Sequence, residues 1–134
     1  MKAKCTILIV AIFLTVATCK AQETEKNDKP NYTSFSAAIF KDKYKQDAIL
    51  VDVRTSENFT NSHLLGAILV NKDQQDFAKK AEALDKNRNL FVYGNTSEES
   101  KNVCELLANL GFVNVYQLNG SFNELVSLGM KVTK

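Results

Sequence analysis

The stretch LFVYGNTSEES, residues 90–100, contains the transition that decides the fold. Residues 90–93 form an apolar run typical of a strand buried on both faces. After a polar loop, apolar residues between 103 and 110 recur with helical spacing. A strand, loop and helix in this order place backbone N–H groups at a helix start, where they bind anions. The loop nevertheless contains no cysteine, histidine or cation, and its ionisable residues, Glu98 and Glu99, are both acidic.

Strands and helices alternate on either side of this stretch. The pattern predicts a single small α/β domain, with a mostly parallel sheet of about four or five strands and helices on both faces. The predicted strands cover residues 48–54, 67–70, 90–93 and 113–118. The predicted helices cover residues 56–59, 74–84, 97–110 and 122–128, after a first helix capped by Thr33 or Ser34 and carrying Phe35, Ala38, Ile39 and Tyr44.

The first 21 residues predict an export signal. Lys2 and Lys4 form a positive start, and the apolar stretch 5–18 is too short for a membrane span, which needs about 20 residues. Small residues before Gln22 favour cleavage there and release into the periplasm or the medium. Alternatively, the segment VATC resembles a bacterial lipobox, in which Cys19 would be lipidated and anchor the protein to the cell envelope. Retention of an uncleaved anchor is a third route.

The balance of charged residues limits the classes of partner that the protein is expected to bind. The formal net charge of +2 depends on Lys2, Lys4 and Lys20, and without them 14 basic residues face 15 acidic ones. This balance argues against nucleic acid and against electrostatic binding to a membrane, so the signal or a lipid at Cys19 would be the only membrane contact. Residues 22–33 are polar, contain the only proline and predict a flexible linker, which leaves residues 34–134 for the folded domain.

Cysteine and histidine are too few for a metal site. Cys5 leaves with the signal and Cys19 is removed or lipidated, so Cys104 remains as a lone thiol that cannot form an internal disulfide. Its place beside the apolar face of the strongest helix predicts a packing role. His63 is the only histidine, and no cluster of ligands is spaced to join it. The sequence therefore predicts no metal and no cofactor.

Four pieces of the chain together resemble a rhodanese-like domain, the sulfurtransferase module. They are LVDVR at residues 50–54, HLLGA at 63–67, the stretch 90–100, and VYQLNG at 115–120. Their order and spacing match the family across residues 34–133. The resemblance implies the family fold, with an active-site loop between the third strand and its helix.

The resemblance also implies that this loop is degenerate. The family reads Cys-x-x-Gly-x-Arg-Ser where this chain has Gly94, Ser97, Glu99 and Ser100, so a glycine replaces the nucleophile and an acid replaces the cation. The degenerate loop comprises Gly94, Asn95, Thr96, Ser97, Glu98, Glu99 and Ser100. The same likeness gives Asp52 and Arg54 the role of framing the site, and gives His63 that of orienting a turn. In this chain we expect the Asp52–Arg54 pair to hold adjoining loops together, with participation in a ligand site as the alternative.

The loop residues themselves suggest what replaced the substrate. Thr96 and Glu99 have the spacing of a capping box, in which the Thr96 hydroxyl binds the Glu99 amide and the Glu99 carboxylate returns to the Thr96 amide. Glu98 adds negative charge where the helix dipole favours it. We therefore expect a loop that is capped by its own side chains and averse to anions.

These observations predict a binding or regulatory module without thiosulfate sulfurtransferase activity, whose partner is a protein or a small ligand. One alternative is an active sulfurtransferase or sulfur carrier that uses Cys104 or a partner thiol. Another is a structural lipoprotein of the cell envelope.

Overall fold

A computed structural model describes residues 31–134 as seven strands and five helices. The predicted export signal, the lipidation site at Cys19 and most of the predicted linker lie outside the described residues. The strands are β1 Thr33–Ser36, β2 Ile49–Asp52, β3 His63–Leu64, β4 Ile68–Leu69, β5 Asn89–Tyr93, β6 Asn114–Asn119 and β7 Val132–Thr133. The helices are α1 Ala37–Lys43, α2 Ser56–Asn61, α3 Phe77–Glu82, α4 Ser97–Asn109 and α5 Phe122–Ser127.

Five strands form one parallel sheet in the order β1-β6-β5-β2-β4. Strands β2 and β5 pair in register from Ile49 with Leu90 to Asp52 with Tyr93, so their carboxyl ends lie side by side. Parallel strands need crossover connections, which the helices supply. The predicted α/β domain with a mostly parallel sheet is confirmed.

Side chains alternate between the two faces of the sheet and form two cores. Leu50 and Phe91 belong to a core beneath α1 and α5, where Phe40 and Leu125 are fully buried. Their neighbours along the strands face the other way and pack against α3 and α4. That second core is mainly aliphatic, although it also includes Phe112, and its members include Val51, Val92, Val103, Cys104 and Leu107. Burial on both faces explains the continuous apolar runs in the sequence.

The predicted first helix was wrong at its start. Thr33–Ser36 is an edge strand, in which Phe35 pairs with Leu118 of β6 and its ring stacks on Tyr116 with centroids 5.3 Å apart. The helix begins only at Ala37 and buries Ala37 and Phe40, whereas Ile39 is 47% exposed. Pairing with β6 overrides the local helical pattern. Because β6 is distant in the sequence, no short-range signal reveals this pairing.

Two smaller differences concern short elements. The helix predicted over residues 74–84 is limited to Phe77–Glu82, because two turns, Asn71 to Gln74 and Gln74 to Phe77, precede it. A separate antiparallel pair joins β3 to β7, with His63 opposite Thr133. Strands β3 and β7 have two residues each and lie outside the apolar runs of the predicted strands, so no periodic pattern indicates them.

Candidate functional site

The candidate site lies where β2 and β5 end. Arg54 follows β2, Gly94 follows β5, and helix α4 begins three residues after Gly94. The site opens into a cleft of about 240 Å³ between the loop after β2 and the first turn of α4. This is the sheet edge at which open parallel α/β folds place their ligands.

Beneath the cleft, Asp52 and Arg54 form a buried ion pair. Arg54 Nη2 lies 2.7 Å from Asp52 Oδ2, and the two residues are 4% and 0% exposed. Arg54 Nε and the Arg54 backbone amide also donate to the Asp52 carboxylate. The Tyr93 hydroxyl donates to Asp52 Oδ2 at 2.8 Å and accepts from the Leu64 amide at 3.1 Å. The carboxylate thus connects β2, β5 and β3.

The Arg54 guanidinium has further internal contacts. It donates to the Ser62 carbonyl at 2.5 Å and lies 3.9 Å from the centroid of the Phe122 ring. The backbone carbonyl of Arg54 accepts a hydrogen bond from the side-chain Nδ2 of Asn71. The cation that the resemblance assigns to framing the site is therefore already paired with the protein's own groups.

Burial keeps Tyr93 neutral. Desolvation, and then the nearby Asp52 carboxylate, raise the pKa of Tyr93 well above its ordinary value. The phenol therefore stays protonated and serves as a fixed donor to Asp52.

The start of helix α4 is capped by its own side chains. Thr96 is the N-cap, and its hydroxyl accepts a hydrogen bond from the Glu99 amide at 3.2 Å, as predicted. The return bond differs by one residue, because Glu99 Oε2 accepts from the Asn95 amide at 2.8 Å and not from that of Thr96. The carboxylate reaches further back than in a standard capping box. It therefore lies over Gly94.

A side chain at Gly94 would require its neighbours to move. A Cβ built on it would lie 2.9 Å from Glu99 Oε2, 3.0 Å from Val53 Cγ2 and 3.1 Å from Glu99 Cβ. Its φ lies outside the left-handed region, so the requirement is one of space and not of backbone conformation. The Gly94 carbonyl also accepts a hydrogen bond from the Phe122 amide at 2.9 Å, which ties the loop to the start of α5.

The other predicted site residues have structural partners. Ser97 donates to Asn119 Oδ1 at 2.8 Å, and the buried Ser100 hydroxyl contacts the Leu118 carbonyl at 2.9 Å. Nδ1 of His63 lies 2.8 Å from the Phe59 carbonyl, and the two rings stack with centroids 3.8 Å apart. Each of these side chains joins neighbouring segments of the fold.

Sequence reasoning missed two buried polar residues. Gln117 is 3% exposed, donates to the Ser97 carbonyl at 2.7 Å and accepts from the Ser34 hydroxyl at 2.8 Å. Asn71 is 8% exposed and its Oδ1 accepts from the Asp73 amide. A glutamine inside an otherwise apolar strand was the available signal for Gln117, because a buried amide needs partners.

Cys104 lies in the aliphatic core and is fully buried. Burial, and to a lesser degree the Glu105 carboxylate, raise the pKa of the Cys104 thiol far above its ordinary value. The thiol is therefore neutral at physiological pH, and the thiolate is the form that acts as a nucleophile.

Within residues 31–134, no group of three or more cysteine, histidine or acidic side chains is placed to hold a metal ion. No helix in this range combines the length and the apolar character needed to cross a membrane.

The parallel sheet and the strand–loop–helix junction at its carboxyl edge define a small α/β domain. The family model of the rhodanese-like domain matches residues 36–128, and the chain belongs to this family. Among curated relatives, the thiosulfate sulfurtransferase GlpE of Pseudomonas savastanoi is 35% identical over 79 residues, covering 58% of this chain and 72% of the relative. That of Coxiella burnetii is 30% identical over 79 residues, covering 58% and 71%.

Solved structures share the fold. The rhodanese-like domain of the Alr3790 protein from Anabaena superimposes with a TM-score of 0.67 at 23% identity, covering 77% of this chain and 80% of that one. A rhodanese-related protein from Thermoplasma volcanium gives a TM-score of 0.65 at 20% identity, covering 76% and 98%. At these identities the likeness shows the architecture alone.

The buried ion pair gives the first prediction. Asp52→Ala should lower the free energy of unfolding by about 3–5 kcal/mol, because it leaves the Arg54 cation buried without a counter-charge. Asp76→Ala, which breaks the exposed Asp76–Lys80 pair, is the matched control and should cost about 0–1 kcal/mol. Urea unfolding measures both values. Equal losses would show that Asp52 does not carry the stability assigned to it.

The second prediction concerns the fit between Gly94 and Glu99. Gly94→Ala should destabilise the domain by about 1–3 kcal/mol through overpacking, and Glu99→Ala should relieve part of that cost. The double variant should therefore be more stable than additivity predicts, by about 0.5 kcal/mol or more. Glu98→Ala, in the same turn, is the control and should combine additively with Gly94→Ala. Additivity in both pairs would contradict the steric coupling.

Proposed function

We propose that this chain is an exported rhodanese-like binding module that lacks thiosulfate sulfurtransferase activity. The observation that carries the proposal is the position of the Glu99 carboxylate. It binds the Asn95 amide and fills the space beside Gly94, at the position that the family resemblance assigns to the nucleophile.

The chemistry of sulfur transfer supports this proposal. A loop thiolate attacks the outer sulfur of thiosulfate, the S–S bond breaks with sulfite as leaving group, and a persulfide remains on the protein. Gly94 offers no atom for that bond. Cys104, the thiol within residues 31–134, is buried and neutral, which argues against the alternative of a sulfurtransferase or carrier that uses it.

The charges around the cleft also disfavour an anionic substrate. Asp73, Glu98 and Glu99 line it, whereas Arg54 is already paired with Asp52. Lys72 is the remaining cation of the lining. Acidic side chains in the first turn of α4 use the helix dipole that an anion would otherwise occupy. The cleft is therefore suited to a protein partner or to a ligand that is neutral or cationic.

The proposal that the protein is exported rests on its amino-terminal sequence. The positive start, the short apolar stretch and the small residues before Gln22 support cleavage and release to the periplasm or the medium. Lipidation at Cys19 is the alternative route to the cell envelope. Mass spectrometry of the mature protein distinguishes them, since cleavage starts the chain at Gln22 and lipidation starts it at a diacylated Cys19.

The third prediction tests the lack of activity. With thiosulfate and cyanide, the protein and its Cys104→Ala variant should both form thiocyanate at the background rate. Alkylation of Cys104 should be slow in the native protein and fast in denaturant, because the thiol is buried. Activity that disappears in Cys104→Ala would overturn the proposal and establish the enzyme.

A gain-of-function variant tests whether the loop differs from the family loop only in its side chains. Gly94→Cys combined with Glu99→Arg removes the carboxylate and restores the thiol and cation of the family loop. We expect this double variant to form thiocyanate measurably. A folded but inert double variant would mean that the loop backbone has diverged as well.

The fourth prediction separates the binding module from a structural lipoprotein. Calorimetry should detect no thiosulfate binding up to about 1 mM, a weak limit equivalent to about 4 kcal/mol. A pull-down with the exported domain should capture a partner that is lost with Glu98→Lys, an exposed change in the lining of the cleft, and retained with Lys101→Glu outside it. Sub-millimolar thiosulfate binding contradicts the first expectation. A structural lipoprotein would show no partner in either variant.

A further inference from the structure

A second concavity lies at the opposite end of the sheet, where β2 begins. It has a volume of about 820 Å³, within the range of about 300–1,000 Å³ typical of small-molecule sites. We call it the amino-end groove. Its apolar lining includes Ile49, Leu65, Ile68, Leu84 and Met130.

The apolar residues of this groove are accessible. Leu65 is 57% exposed and Ile68, on the edge strand β4, is 37% exposed. Ile49, Leu84 and Met130 are half-buried, so the groove has an apolar floor beneath an open mouth. Water over such a surface is displaced favourably by an apolar ligand, at about 25 cal/mol per Å².

Charges at the rim of the groove define the ligand further. Two cations, Arg88 and Lys131, face one acid, Asp85. Asp85 Oδ1 accepts a hydrogen bond from the Asn87 amide at 2.9 Å. The lining therefore carries two positive charges and one negative charge. Arg88 Nε donates to the Asp47 carbonyl at 3.0 Å, which fixes the guanidinium on the wall.

Neither rim cation has a carboxylate partner among residues 31–134, where the ion pairs are Asp52–Arg54 and Asp76–Lys80. The groove thus combines an apolar floor with a net positive rim. Such a surface complements a molecule that has an apolar body and a single anionic group.

We propose that the amino-end groove is a binding site for a small anionic amphiphile, separate from the cleft at the carboxyl ends of the strands. The apolar body would lie on Leu65 and Ile68, and the anionic group would lie between Arg88 and Lys131. The two sites share no lining residue, so occupancy of the groove does not depend on the proposed loss of sulfur transfer.

The fifth prediction uses two fluorescent probes with the same apolar body. Anilinonaphthalene sulfonate carries one negative charge, whereas phenylnaphthylamine is neutral. Both should bind the folded protein with enhanced fluorescence, and the amide resonances that shift should include those of Ile68, Leu84 and Met130. Arg88→Gln with Lys131→Gln should weaken the sulfonate about fivefold and leave the neutral probe unchanged, a size typical of two exposed charges.

A second pair of variants tests the apolar floor. Leu65→Asp should abolish binding of both probes, whereas Ile39→Asp, an exposed apolar position on α1 with 47% exposure, should alter neither. Thermal unfolding of every variant verifies the fold. Equal effects of the charge variants on the two probes, or binding that survives Leu65→Asp, would overturn the proposal. So would a dimer in solution that covers the groove, because its occupant would then be a second copy of the chain.

Discussion

The architecture of the site depends on one buried charge, the Asp52 carboxylate. Water is excluded from it, so its stability requires a cation and hydrogen-bond donors within the protein. Arg54 and Tyr93 supply them from β2 and β5, and through them the carboxylate positions the turn before β4 and the ring of Phe122. A group that must be satisfied internally fixes the distances among the segments that meet there. The network of Asp52, Arg54 and Tyr93 therefore joins the segments beneath the loop without using the loop's own side chains.

Above that network, the loop shows how a helix start can be closed without a ligand. The first backbone amides of an uncapped helix have no hydrogen-bond acceptor within the helix, and an anion can supply one. Here a threonine hydroxyl and a glutamate carboxylate take the amides of Glu99 and Asn95. The glutamate occupies space as well as satisfying a donor, and the absent side chain of Gly94 creates that space. Charge, hydrogen bonding and volume thus agree at the start of α4.

Much of the fold could be predicted from the sequence because buried parallel strands and amphipathic helices leave strong periodic patterns, as in β5 and α4. The edge strand β1 could not, since Thr33–Ser36 has the local pattern of a helix start and becomes a strand only by pairing with β6. At the site, the spacing of Thr96 and Glu99 predicted the cap. It did not reveal that the carboxylate reaches Asn95, which depends on the space over Gly94. The partners of Gln117 lie on distant segments, so only the tertiary structure could name them.

The close contact between position 94 and Glu99 has a consequence for the mutational history open to this chain. A cysteine at position 94 would meet the glutamate, and loss of the glutamate alone would leave the Asn95 amide without its partner. Each single step towards a catalytic loop therefore passes through a less stable protein, and only the joint change avoids the penalty. With the glycine and the glutamate both in place, stability itself therefore disfavours single substitutions towards a loop that carries a thiol.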